Sequence, residues 1–126
     1  MEDFLSFSDT LAGLTKRIEG AVAAIILGID GIPIERYMAA LEPGLDIEMI
    51  ATELTTLLRR GMHTASDTAL GDLREMVIAT ERLTILLRPI TKDYFLMLAV
   101  MPGGNVGRAR YELRKAQLVL EEEFAI

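Results

Sequence analysis

The chain has 126 residues, 51% of them hydrophobic, with a formal net charge of -6 and no cysteine. That length and apolarity suit one domain over residues 1–126 with a buried core, and they exclude extensive disorder and disulfides. Nucleic-acid binding by bulk electrostatics is excluded too, because basic residues are scattered outside Arg59-Arg60 and the 108–115 segment of an acidic chain. No apolar stretch reaches roughly 18 residues without a charge, so no membrane insertion is expected. The acidic start, Met1-Glu2-Asp3-Phe4, is the reverse of a secretory signal, and the expected location is the cytoplasm.

Phe4, Phe7, Leu11, Leu14 and Ile18 recur in steps of three and four, one stripe of an amphipathic helix that Gly20 can stop. Residues 21–29 form an apolar, β-branched run, too short to cross a membrane as a helix. Asp30-Gly31 then tolerates positive φ and closes a tight hairpin. The next segment, 32–39, mixes apolar and polar residues and carries Pro33, Glu35 and Arg36, as an edge strand in water does. Pro43-Gly44 marks a turn, and Asp46 is placed to cap a long second helix. Ile47, Ile50, Ala51, Leu54, Leu57, Leu58, Met62 and Ala65 make its apolar face. Thr52, Glu53, Thr56, Arg59, Arg60, His63 and Asp67 make the other, and Gly71-Asp72 ends the helical region. Segments 73–80, 83–90 and 94–101 read as three strands joined by the short connections Glu81-Arg82 and Thr91-Lys92-Asp93, which suit antiparallel hairpins. A last helix starts near Asn105, with Val106, Ala109, Leu113, Ala116 and Leu120 on one stripe.

The order is αββαβββα, and the pattern predicts an α/β fold of the α+β type. Five antiparallel strands form the middle of a three-layer sandwich, with the first and last helices on one face and the second helix on the other. Segments 21–29 and 95–100 carry no charge on either alternating face and belong at the sheet centre. Segment 73–80 falls at the far edge, yet its Met76-Val77-Ile78-Ala79 core has neither proline nor charge. A bare apolar edge invites a partner strand, and a symmetric copy is the economical one.

This order resembles the Roadblock family, the dynein-light-chain-like group. The parts that carry the resemblance are Gly20-Ala21-Val22-Ala23-Ala24 leading to Asp30-Gly31, and Met101-Pro102-Gly103-Gly104-Asn105-Val106-Gly107 followed by Arg110-Tyr111-Glu112-Leu113. These motifs imply turns and packing, with no reaction centre. The resemblance also implies a profilin-like fold and a homodimer built on a continuous intermolecular sheet, with the second helix packed on its mate. Bacterial relatives commonly regulate or dock a small Ras-like GTPase, so such a GTPase is the implied partner. On this reading the dimer interface draws on Thr52, Thr56, Leu73, Met76, Val77 and Ile78, and the partner-binding face on Thr56, Arg59, Arg60 and His63.

No catalytic, cofactor-binding or metal-binding set emerges from the residues. His63 and Asp67 stand one turn apart, but with no cysteine and no second histidine a metal site lacks its remaining donors. The three serines, Ser6, Ser8 and Ser66, fit no nucleophile elbow, and Glu121-Glu122-Glu123 reads as solvated helix. The Pro102–Gly107 segment follows a strand and opens a helix as a phosphate loop does, but it lacks the Lys-Ser/Thr pair. The chain is therefore not itself the GTPase. Two alternatives accompany the regulator: a purely structural dimeric adaptor, and a small-molecule sensor disfavoured by 6% aromatics and no tryptophan. The seven methionines read as core packing.

Overall fold

A computed structural model describes residues 2–39 and 41–125; for residues 2–6 it describes the backbone alone, so the Phe4 side chain lies outside the described residues. The elements follow the expected order. Helix α1 (Glu2–Lys16) leads into strands β1 (Ala21–Gly28) and β2 (Pro33–Met38), and helix α2 (Ile47–Asp67) comes next. Strands β3 (Met76–Ala79), β4 (Thr84–Pro89) and β5 (Tyr94–Val100) precede helix α3 (Val106–Phe124). The five strands form one antiparallel sheet in the order β2-β1-β5-β4-β3. The two charge-free strands are central, and the proline-bearing strand and the short third strand are the edges.

Alternation along β1 and β5 feeds two cores. Ala24, Ile26, Leu96, Leu98 and Val100 face α1 and α3, where Phe7, Leu11, Leu14, Ala109, Leu113 and Leu120 meet them. Val22, Ile25, Leu27, Phe95 and Met97 face the other way, toward Ile47, Ala51 and Leu58 of α2. Each large side chain so buried is worth about 1.5–3 kcal/mol, and that burial holds the three layers together.

The turns are made as the sequence leads one to expect. Gly31 has φ +90°, and the Asp30 carboxylate accepts from Ile32 N at 3.0 Å, closing the β1–β2 hairpin. Asp46 Oδ1 accepts from Glu48 N and Met49 N at 3.1 and 3.2 Å, and Asn105 Oδ1 accepts from Arg108 N at 2.9 Å, capping α2 and α3. The two glycine-containing segments touch: Met101 N donates to Gly20 O at 2.8 Å, and a Cβ on Gly20 would stand 2.8 Å from Gly104 Cα. Those motifs pin the start of β1 to the β5–α3 turn, which is a packing role.

Two expected boundaries move. The third strand is Met76–Ala79 and does not extend over 73–80, so Leu73 precedes it. Glu75 is drawn out to Arg88 and Arg110, while Thr80 is taken up in the β3–β4 turn, where its N and Oγ1 donate to Leu83 O. Helix α2 ends at Asp67, before Gly71-Asp72. Ala69 takes a left-handed φ of 59°, with Ala69 N donating to Ser66 O and Leu70 N to Ala65 O, the paired bonds of a Schellman stop.

Candidate docking surfaces

The helical period of α2 turns Ile47, Ala51, Thr55, Leu58 and Ala65 into the core, which sends Thr52, Thr56, Arg59, Arg60 and His63 outward. Thr52 Oγ1 donates to Glu48 O one turn back at 3.0 Å, a bond made within the helix. Thr56, Arg59, Arg60 and His63 come together, lining with Thr64 a shallow hollow of about 290 Å³. Arg59 Nη1 reaches Ile29 O at 3.4 Å, and Arg60 has no hydrogen bond or ion pair among the described residues. His63 Nε2 lies 3.0 Å from Asp67 Oδ2, with both side chains well exposed. Among the described residues no group of three or more His, Cys, Asp or Glu is arranged to hold a metal.

The expected dimer residues divide between layers. Met76, Ile78 and Leu73 are half-buried against the α2 side of the sheet. Gly61 provides the space for them, since a Cβ there would stand 2.5 Å from Met76 Cε. Val77 projects from the opposite face and is 43% exposed. Neither set of β3 side chains points along the sheet plane; the outward groups at this edge are amides. Thr80 N donates to Leu83 O, so alternation turns Ile78 and Met76 toward β4 and leaves the Val77 and Ala79 amides facing the open edge.

Leu57, expected on the buried face of α2, is 45% exposed, and Met49 is 60% exposed. Residues 57 and 58 sit about 100° apart around a helix, so one cannot lie flat on the sheet when the other does. Leu58 takes the core. Met49 and Leu57, beside half-buried Ile50 and Leu54, add an apolar component to the outer surface of α2. The signal was present as an apolar stripe wider than one helix can bury.

Glu112, which the sequence shows only as part of the Arg110-Tyr111-Glu112-Leu113 motif, has an ionic role. Its carboxylate is 1% exposed, 2.8 Å from Arg17 Nε, 3.0 Å from Arg108 and 3.8 Å from Lys115. Burial pushes its pKa up, but Arg17, Lys115 and Arg108 outweigh that and hold it below the ordinary value. The group clamps α1 to α3, and the cations at 108 and 115, one turn either side, were its trace in the sequence.

No protein-family model matches the chain, and no curated protein matches it. Solved structures do. MglC from Myxococcus xanthus is 30% identical over 94% of this chain and 98% of its own, with a TM-score of 0.68. A Roadblock/LC7 domain from Streptomyces avermitilis is 16% identical over 94% of this chain and 98% of its own, with a TM-score of 0.82. The chain belongs to the Roadblock/LC7 family. Gliding protein MglB from Thermus thermophilus has the same fold at a TM-score of 0.86, with 15% identity over 98% of this chain and 91% of its own. Another MglB structure has a tetrameric arrangement. No helix of the described residues is long and apolar enough to cross a membrane.

Proposed function

We propose that this Roadblock protein is a cytoplasmic, non-catalytic homodimer that regulates or positions a small Ras-like GTPase, docking preferentially on its GTP-bound form. The observation that supports it most is the outer surface of α2, where Thr56, Arg59, Arg60 and His63 line one hollow beside exposed Leu57. In the dimer, α2 packs on its mate through Thr52, Thr56, Met49 and Leu57, and β3 pairs antiparallel with its copy through the outward amides of Val77 and Ala79. Two copies of the cationic hollow then flank the seam and meet the acidic effector region of the GTPase. The family resemblance supports this arrangement, and the tetrameric arrangement of an MglB relative supports self-association.

Val77→Pro removes one outward donor and leaves the β3–β4 ladder whole. Light scattering should show the wild type as a dimer at micromolar concentration and this variant as a folded monomer; a wild-type monomer would refute the dimer. Arg59→Glu with Arg60→Glu should leave the dimer intact and weaken GTPase binding in calorimetry. Unchanged affinity would place the docking face elsewhere. Failure to recover any GTPase with GTP or GDP analogues would favour the structural adaptor.

A further inference from the structure

A second cleft, of about 750 Å³, is bounded by the end of α2, the 71–74 segment, the β4–β5 turn and α3. It exists because β3 is short. Pairing begins at Met76 with Leu87, so Arg88, Pro89 and Ile90, paired to β5 on one side, have no strand beside them on the other. None of its lining residues belongs to the hollow at Arg59 and His63.

The charge in this cleft is opposite to that of the protein. Arg74, Arg88, Lys92 and Arg114 line it, and Arg110 stands on its rim. Glu75 is shared between Arg110 at 2.7 Å and Arg88 at 3.5 Å, and Gln117 Oε1 accepts from Arg88 Nε at 2.7 Å. Asp72 and Glu121 also line the cleft, and Glu121 is held by Gln117 Nε2 at 2.6 Å. Arg74, Lys92 and Arg114 are exposed and have no hydrogen bond or ion pair among the described residues. Burial lowers the Arg88 pKa, and Arg114, Arg74 and Arg110 press it the same way against the pull of Glu75. Such an excess of positive charge on a chain of net charge -6 suits an anionic partner.

The rest of the lining identifies the kind of anion. Leu73 and Ile90 lie at its floor, and Leu118 on α3 is 53% exposed at its rim. No aromatic ring lines it to stack a nucleobase. Addition of a β-strand is also disfavoured. Ile90 N donates to Tyr94 O, so alternation turns the donor-less nitrogen of Pro89 to the open edge. Recognition is left to side chains, cationic and apolar together. We propose that this cleft is a second docking site that takes an acidic, leucine-bearing segment of a partner protein. Its carboxylates would sit on Arg74, Lys92 and Arg114, and its apolar side chains on Leu73 and Leu118.

Fluorescence anisotropy with a fluorescein-labelled peptide of repeated Glu-Glu-Leu tests this on the full chain. Saturable binding is expected, weakened about tenfold by Arg74→Glu with Arg114→Glu. Arg59→Glu with Arg60→Glu changes net charge equally and should leave the affinity where it was, with circular dichroism showing both variants folded. Leu118→Ser should weaken the peptide while leaving binding of polyglutamate of the same length unchanged. Equal loss in the two double variants would reduce the effect to net charge and overturn the site. So would wild-type protein that does not bind the peptide, or pyrophosphate that displaces it at micromolar concentration.

Discussion

The two faces of the sheet are finished to different degrees. On one side α1 and α3 cover the strands together, and even the helix ends are tied down: Phe124 stacks on Phe7 at 5.1 Å and on Tyr94 at 4.5 Å. On the other side α2 lies alone across the same sheet, leaving its own Ile50, Leu54 and Met62, and Ile29, Leu41, Leu45, Leu73, Met76 and Ile78 around it, half-buried. A single helix has a stripe too narrow for five strands. The two-helix face therefore supplies stability, and the one-helix face carries leftover apolar surface next to cations, which is what a docking surface needs.

The sharpest test of that contrast sets one leucine from each face against the other. Leu113 of α3 is fully buried in the core between the sheet, α1 and α3, so Leu113→Ala should cost about 3 kcal/mol and threaten folding. Leu57→Ala should change monomer stability by under about 0.5 kcal/mol, because the side chain already meets water. Its effect should fall on the proposed dimer, as a raised dissociation constant in concentration-dependent light scattering. Comparable losses in chemical denaturation would show that both faces serve stability alike.

A smaller effect is expected at Glu112, the ionic clamp of the two-helix face. Glu112→Gln keeps the shape and removes the charge that Arg17, Arg108 and Lys115 surround; those cations are half exposed, so the cost should be about 1–2 kcal/mol. The pH dependence has a definite sign. The folded pKa lies below the ordinary 4.5, so the stabilisation is complete above that value and is lost as pH falls through the folded one. Melting temperatures of the wild type and Glu112→Gln should differ near neutrality and converge in acid. A constant gap across that range would refute the clamp.

The features legible in the sequence were those fixed by local pattern. The absence of charge in β1 and β5 placed them at the centre, Pro33 placed β2 at an edge, and Asp46 and Asn105 announced their helices. What escaped depends on contacts distant in the chain. Glu75 leaves the strand register for Arg88 and Arg110, 13 and 35 residues away, which no window over 73–80 contains. Glu112 meets Arg17 across 95 residues. The hollow at Thr56, Arg59, Arg60 and His63 was readable because all four sit on one helix face. The Arg74–Arg114 cleft was not, because it draws on α2, β4, α3 and two loops.

The smallest expected effect sharpens the comparison at the end of α2. Ala69 carries a left-handed φ of 59° at the position where helices most often place glycine, and it lines the cationic cleft. An L-residue there keeps its Cβ close to a carbonyl oxygen, at a cost of about 1 kcal/mol that glycine avoids. Ala69→Gly should therefore raise stability by about 0.5–1 kcal/mol, a shift of a few degrees in melting temperature, even though glycine stiffens the unfolded chain less. A lowered melting temperature would mean that this residue is not held left-handed. If stability rises while the Glu-Glu-Leu peptide binds more weakly, the strained alanine holds the 71–74 segment in place for docking. The end of α2 would then give up stability at this turn for the shape of a cleft that it shares with α3, the other wall of the site.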